Sequence, residues 1–207
     1  MEFIMRDYNL TESICDQVVV VSTKLNGWTE WFSNPTAGPW KRIGIPGVSS
    51  LAGTGFEKEE TRPDLILYHK SVKPKVLIIE SKDKIDKLID SANQNNQIKK
   101  TCQGVLPNMR TRLYELIKTS EDKELVQSLN SINFIPGYVI GDSKDIQAKI
   151  SELKKLHFKF IDKSVFPYFI IIIVKKSGYD LTLETQIVSE TQTDETKELE
   201  EFFQTGI

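Results

Sequence analysis

Arg62-Pro63-Asp64-Leu65-Ile66-Leu67-Tyr68, followed after a polar bend by Lys75-Val76-Leu77-Ile78-Ile79-Glu80-Ser81-Lys82, is the stretch on which the fold turns. Each half is an apolar run of strand length with charge at one end, and the intervening Lys70-Ser71-Val72-Lys73-Pro74 has the composition of a turn. Opposed residues of an antiparallel hairpin have indices of constant sum, so setting Asp64 across from Glu80 gives a sum of 144 and centres the turn on Val72. Turn chemistry and charge pairing thus demand the same register. Side chains alternate along a strand, which puts Glu80 and Lys82 on one face and Ser81 on the other.

Charge at the end of buried strands costs several kcal/mol unless it is paired, hydrogen-bonded or bound to metal. Two carboxylates one hairpin width apart suit Mg²⁺, and a lysine beside them can orient or deprotonate a water. A plain cross-strand salt bridge, Asp64 or Glu80 with Lys82, is the alternative that spacing leaves open.

Pro63-Asp64, an interval of 15 residues, and Glu80-Ser81-Lys82 resemble the PD-(D/E)XK nuclease superfamily, which includes many type II restriction endonucleases. The likeness covers 62–84 at the level of motif. It implies a restriction-endonuclease-like fold, Asp64 and Glu80 as Mg²⁺ ligands with the Ser81 carbonyl as a third, and Lys82 as the group that positions water. Asp64, Glu80 and Lys82 would then be catalytic. It further implies double-stranded DNA as substrate and a homodimer matched to a palindromic site. Family members often add an acid from the first helix, here Glu12 or Asp16, and some add a glutamine after the motif, here Gln94 or Gln97. Glu57, Glu59 and Glu60 are further candidates for a fourth acid; each of these acids also reads as an exposed one.

Around this hairpin, 207 residues with 39% hydrophobic and 27% charged side chains fit one domain with a sizeable core. Its parts are a helix and loop-rich segment over 1–62, a sheet core over 63–188 and an acidic tail over 189–207. No apolar run is long enough to span a bilayer, and 1–7 lack the pattern of a secretory signal, so a cytoplasmic protein is expected. Cys15 and Cys102 have no zinc-like spacing and read as reduced thiols. His69 reads as a solvated residue at the loop end of its strand.

The net charge of −2 hides an uneven distribution. From Glu184 to Ile207 seven acids accompany one Lys197, a net −6, which leaves +4 on the remainder. From Lys70 to Lys118 eleven Lys or Arg stand against five acids, so the basic excess lies around and after the motif, where a phosphate backbone would approach. Within it Asn95, Gln97, Lys99 and Lys100 offer amides and cations for base edges and phosphates. Upstream lies a segment with all three tryptophans, whose Pro and Gly exclude a regular helix; core packing explains one or two of its aromatics, and a third, in Trp40-Lys41-Arg42, also suits stacking or phosphate contact.

The other elements follow from periodicity. Thr11 caps a helix with Ile14, Val18, Val21 and Leu25 inward and Gly27 as its stop. Ile85 to Ala92 reads as a short helix, Pro107 as the start of another, and Glu121 to Leu129 as a third. A strand over 134–141, a helix capped by Asp142 or Ser143, and an apolar strand over 168–174 form a parallel crossover, with an antiparallel edge strand over 179–185. Leu199, Phe202 and Phe203 mark a docking helix or a partner-facing arm. The class is α/β, a mixed central sheet flanked by helices. Another nuclease of the same fold, acting on junctions, damaged DNA or RNA, and a non-catalytic DNA-binding protein are the other functional readings.

Overall fold

A computed structural model of the chain describes residues 9–33, 44–48, 62–90 and 97–206. In chain order these form α1 (Glu12–Leu25), β1 (Trp28–Ser33), β2 (Leu65–His69), β3 (Lys75–Lys82), α2 (Asp86–Ile89), α3 (Gln97–Lys100), a π-helical turn (Thr101–Val105), α4 (Leu106–Lys118), α5 (Lys123–Ser128) and a 3₁₀ turn (Leu129–Ser131). β4 (Asn133–Gly141), α6 (Ile146–Phe160), β5 (Tyr168–Ser177), β6 (Asp180–Ser189) and α7 (Asp194–Gly206) complete the chain.

Among the described residues six strands form one mixed sheet in the order β1-β2-β3-β4-β5-β6. The β2–β3 hairpin pairs Leu65 with Ile79 and His69 with Lys75, the register of constant sum 144 expected from sequence. β3, β4 and β5 run parallel, α6 joins the last two, and β6 is an antiparallel edge. The central strands are apolar on both faces because both are covered. Val76 and Ile78 pack under α2, α3, α4 and α6; Leu77 and Ile79 pack under α1 and α7, where Leu199 and Phe203 dock the acidic tail. No helix among the described residues is long and apolar enough to cross a membrane.

Four local expectations are corrected. First, residues 28–33 form an edge strand that the sequence reading did not assign; Trp28 and Trp31 are buried in it, Trp31 stacking on Tyr68 at 4.4 Å, in the core role expected for one or two of the tryptophans. His69 belongs to the same packing, 5.2 Å from Trp28 and 4.9 Å from Phe202. Second, the inward face of α1 is Cys15, Val19 and Thr23, while Val21 and Leu25 are exposed. The run Val18-Val19-Val20-Val21 satisfies either face, and the polar residues decide it. Thr11 caps the helix as expected, its hydroxyl accepting from the Ile14 N–H at 3.3 Å, and Gly27 leaves it at φ +82°, a conformation glycine takes without strain.

Third, Pro107 stands in the first turn of α4 as expected, but that helix does not start from a loop. The path already runs from Gln97 through the π turn, where the Leu106 N–H donates back to the Thr101 carbonyl, and Pro107 falls near the start of the following α register, where a missing N–H costs little. Fourth, α6 starts after Asp145 at φ 63°, not at Asp142 or Ser143, because the Asp142 N–H is still held by the Val174 carbonyl at 2.9 Å. Where the chain leaves β3 it crosses the end of β4 so closely that a Cβ on Gly141 would stand 2.4 Å from the Asp83 carbonyl oxygen. Only glycine allows that crossing, which sets the direction of the chain just beyond Lys82.

Candidate active site

β2 begins at Leu65, so Asp64 lies one residue outside the strand it was expected to open, and the paired register ends at Leu65 and Ile79 before it reaches Asp64 and Glu80. The Asp64 N–H donates to the Ile79 carbonyl at 2.9 Å, and its Oδ2 accepts the Ser81 N–H at 2.8 Å. The carboxylate is therefore fixed by backbone, not by rotamer preference alone. Glu80 is 5% exposed and lies on the helix-covered face with Ile78, where Gln97, the first residue of α3, donates to its Oε1 at 2.8 Å.

Lys82 closes the arrangement. Its Nζ stands 3.0 Å from Glu80 Oε1, 3.5 Å from Asp64 Oδ2 and 3.4 Å from Glu12 Oε1, and it donates to the Ser81 carbonyl. Glu12 arrives from the first turn of α1, and Asp16, one turn later, faces β3 beside Ser81. The contact between Asp16 and Ser81 is loose: Asp16 Oδ1 and the Ser81 hydroxyl are both buried without a hydrogen-bond partner. α1, the start of β2, β3 and α3 thus converge on one ammonium group.

Three carboxylates around one cation leave an excess of negative charge in a poorly hydrated place. Burial raises the Glu80 carboxyl above its usual range, and the nearby Asp64 raises it further. Burial likewise raises Asp16, to about 7, with Ser81 only partly opposing, and Glu12, where Lys82 opposes. Burial by itself favours a neutral amine at Lys82, but Glu80, Asp64 and Glu12 together outweigh it and raise its proton affinity above that of a free lysine. Lys82 is therefore a fixed ammonium at neutral pH.

The donor set can be tested against Mg²⁺ directly. Asp64 Oδ2, Glu80 Oε1 and the Ser81 carbonyl oxygen, the atoms that the resemblance implies as ligands, surround the Lys82 nitrogen within 3.5 Å, so the point on which they converge is held by the ammonium. They are hard oxygens, two of them anionic, which fits an ion that takes one or two carboxylates and keeps several waters. Among the described residues no group of three His, Cys, Asp or Glu side chains is arranged as a metal-binding set.

The other candidates divide by location. Gln97 joins the site, while Lys99 and Lys100 extend from the same short helix to its exposed side. Lys41, Arg42, Glu57, Glu59, Glu60, Gln94 and Asn95 lie outside the described residues. A buried polar cluster behind Glu80 has no counterpart in the sequence reading. Tyr138, the neighbour of Glu80 across β3 and β4, shares a 2.8 Å hydrogen bond with His157 Nδ1, and Cys102 Sγ lies 3.5 Å from that nitrogen. This cluster ties the π turn to β4 and α6 and so supports the helix that carries Gln97. Its members are 36 and 19 residues apart, with no local pattern to reveal them. Comparison of the chain with protein-family models, with curated proteins and with solved structures finds no match in any of the three.

Proposed function

We propose that the protein is a Mg²⁺-dependent endodeoxyribonuclease that hydrolyses phosphodiester bonds of double-stranded DNA, of the type II restriction kind and acting as a homodimer. The observation that carries this reading is the convergence of Asp64 Oδ2, Glu80 Oε1 and the Ser81 carbonyl on Lys82 Nζ at one end of a hairpin whose central residues are apolar. When bound, Mg²⁺ would neutralise phosphate charge and lower the pKa of a water. Asp64, held by the Ser81 N–H, and Glu80, held by Gln97, keep their oxygens in place before substrate arrives. Lys82 contributes hydrogen-bond donors: as an ammonium it can hold a water against the phosphate and stabilise the charge that develops there.

Incubation of the protein with phage DNA and Mg²⁺ tests the reading. Discrete fragments that disappear with EDTA, with Glu80→Gln and with Lys82→Ala support a sequence-specific nuclease; a smear points to one without sequence preference. Intact DNA with the wild-type protein overturns it. The ion pairs alone would equally suit a non-catalytic DNA-binding protein, and binding without cutting in Mg²⁺ selects that alternative.

A further inference from the structure

At the other end of β3, seven residues and therefore about 23 Å from Lys82, the strand begins with a second buried lysine. Lys75 is 9% exposed and lines a cavity of about 600 Å³ between the hairpin loop, the turn before β4 and α7. Its ammonium donates to the Lys73 carbonyl at 3.1 Å and stands 4.0 Å above the Phe202 ring. Among the described residues no carboxylate forms a salt bridge with it. The two acids at the cavity are engaged elsewhere: Glu198 pairs with Lys73 at 3.2 Å, and Glu195 accepts from the Tyr168 hydroxyl at 2.8 Å and from Asn133 at 3.5 Å.

A buried ammonium with one carbonyl and one ring as partners is under-compensated, since it has three donors and a charge. We propose that this cavity is a binding site for a small molecule that carries an oxyanion beside a flat apolar body, the oxyanion paired with Lys75 and the body against Phe202 and Leu199. The volume falls within the range of small-molecule sites; Ile132, Leu199 and Phe202 form its apolar wall and the rest of the lining is polar. Asn130 has its side-chain oxygen occupied by the Tyr114 hydroxyl at 3.1 Å, which leaves its amide donors for the ligand. The inference does not depend on the nuclease reading, because the site is at the opposite end of the sheet.

The test uses phenyl phosphate, benzoate, inorganic phosphate and benzyl alcohol as probes on the full chain, with titration followed by amide chemical shifts. Saturable binding of phenyl phosphate or benzoate is expected, with shifts at Lys75, Asn133 and Leu199. Whichever of the two is tighter separates a phosphomonoester ligand from a carboxylate. Inorganic phosphate and benzyl alcohol, each lacking half of the ligand, bind at least about tenfold more weakly, and Lys75→Met loses about tenfold or more for the aryl oxyanions while keeping its stem on Phe202. Equal binding by Lys75→Met overturns the proposal. So does the absence of saturation by either aryl oxyanion at about 10 mM, or shifts confined to the Glu80 end, and both of these are read on the wild-type protein.

Discussion

Replacing Lys82 by Met removes the ammonium that pairs with Glu80, Asp64 and Glu12 while keeping an apolar stem of similar length. Its Nζ lies 3.0, 3.5 and 3.4 Å from those carboxylates, and the Lys82 and Glu80 side chains are only 17% and 6% exposed. Breaking a buried ion pair from one side costs about 3–5 kcal/mol, because the partner stays buried and uncompensated. Glu12 is the more accessible partner, so the lower end, about 3 kcal/mol at pH 8, is expected. The sign of the pH dependence follows from linkage. Without Lys82 the carboxyl groups have folded-state pKa values still further above their unfolded ones, so the native state binds more protons than the unfolded state in that window and stability falls as pH rises. Near pH 5 protonation relieves the orphaned groups and the loss shrinks to about 1 kcal/mol. The wild-type lysine, with its folded pKa raised above 10.5, contributes its stability throughout this range and loses it only at higher alkaline pH. Urea unfolding at pH 5 and pH 8, followed through the buried Trp28 and Trp31, measures the difference. An equal loss at the two pH values would show that Lys82 acts by packing, and a gain at pH 8 would show that its desolvation outweighs its pairing.

Asp16→Asn should stabilise the protein by about 2–3 kcal/mol above pH 7 and by little near pH 4, because burial raises its carboxyl to about 7 and the penalty for ionising it grows through that interval; denaturant midpoints at the two pH values check this. His157, lowered by burial to about 3, works in the opposite direction: the unfolded state takes up its proton first, so stability is lost as pH falls from 6.5 towards 3, by up to about 1.4 kcal/mol per unit. His157→Gln should flatten that acid limb in a pH series of unfolding curves, whatever its effect on overall stability. Removing both Lys99 and Lys100 should weaken duplex binding in Ca²⁺ and make the logarithmic salt slope shallower by about one to two units, as read by fluorescence anisotropy; an unchanged slope makes α3 an ordinary solvated surface.

The hairpin was legible because two signals agreed: the charge positions and the turn composition both asked for the sum of 144, the sum that relates Leu65 to Ile79. The central strands were legible for a similar reason, since an apolar run such as 168–174 fits only a sheet covered on both faces. The face of α1 was not. Four consecutive valines satisfy two helical registers, and the residues that settle the matter, Glu12 and Asp16, take their positions from partners on β3 that lie about seventy residues away, as the 70-residue interval between Glu12 and Lys82 shows. β1 was missed because its charged and aromatic residues do not alternate, its pairing with β2 being broken by an irregularity between Glu30 and Phe32. The helical path through Pro107 was missed because a π turn has no sequence signature comparable to a cap.

The site and the scaffold make opposite demands on β3. Its apolar half is buried on both faces and paired on both sides, while its end must hold Glu80 and Lys82 where burial penalises the carboxylate. The pairing of β3 with β4 continues to Lys82 and Ile140, so the two charged groups stand on a central strand and cannot fray outward to water. A salt bridge kept for stability alone has no use for that constraint: two partners at an exposed edge would suffice, and isosteric apolar residues would serve as well or better. What the arrangement secures is position. Asp64 is held by a main-chain N–H, Glu80 by an amide from another helix, and Lys82 by three carboxylates and a carbonyl, so each group's orientation is fixed by a neighbour from a different element. Burial raises the carboxyls of Asp16 and Glu80, so a proton or a cation would relieve both, and it is on this that the proposed phosphodiesterase reading draws.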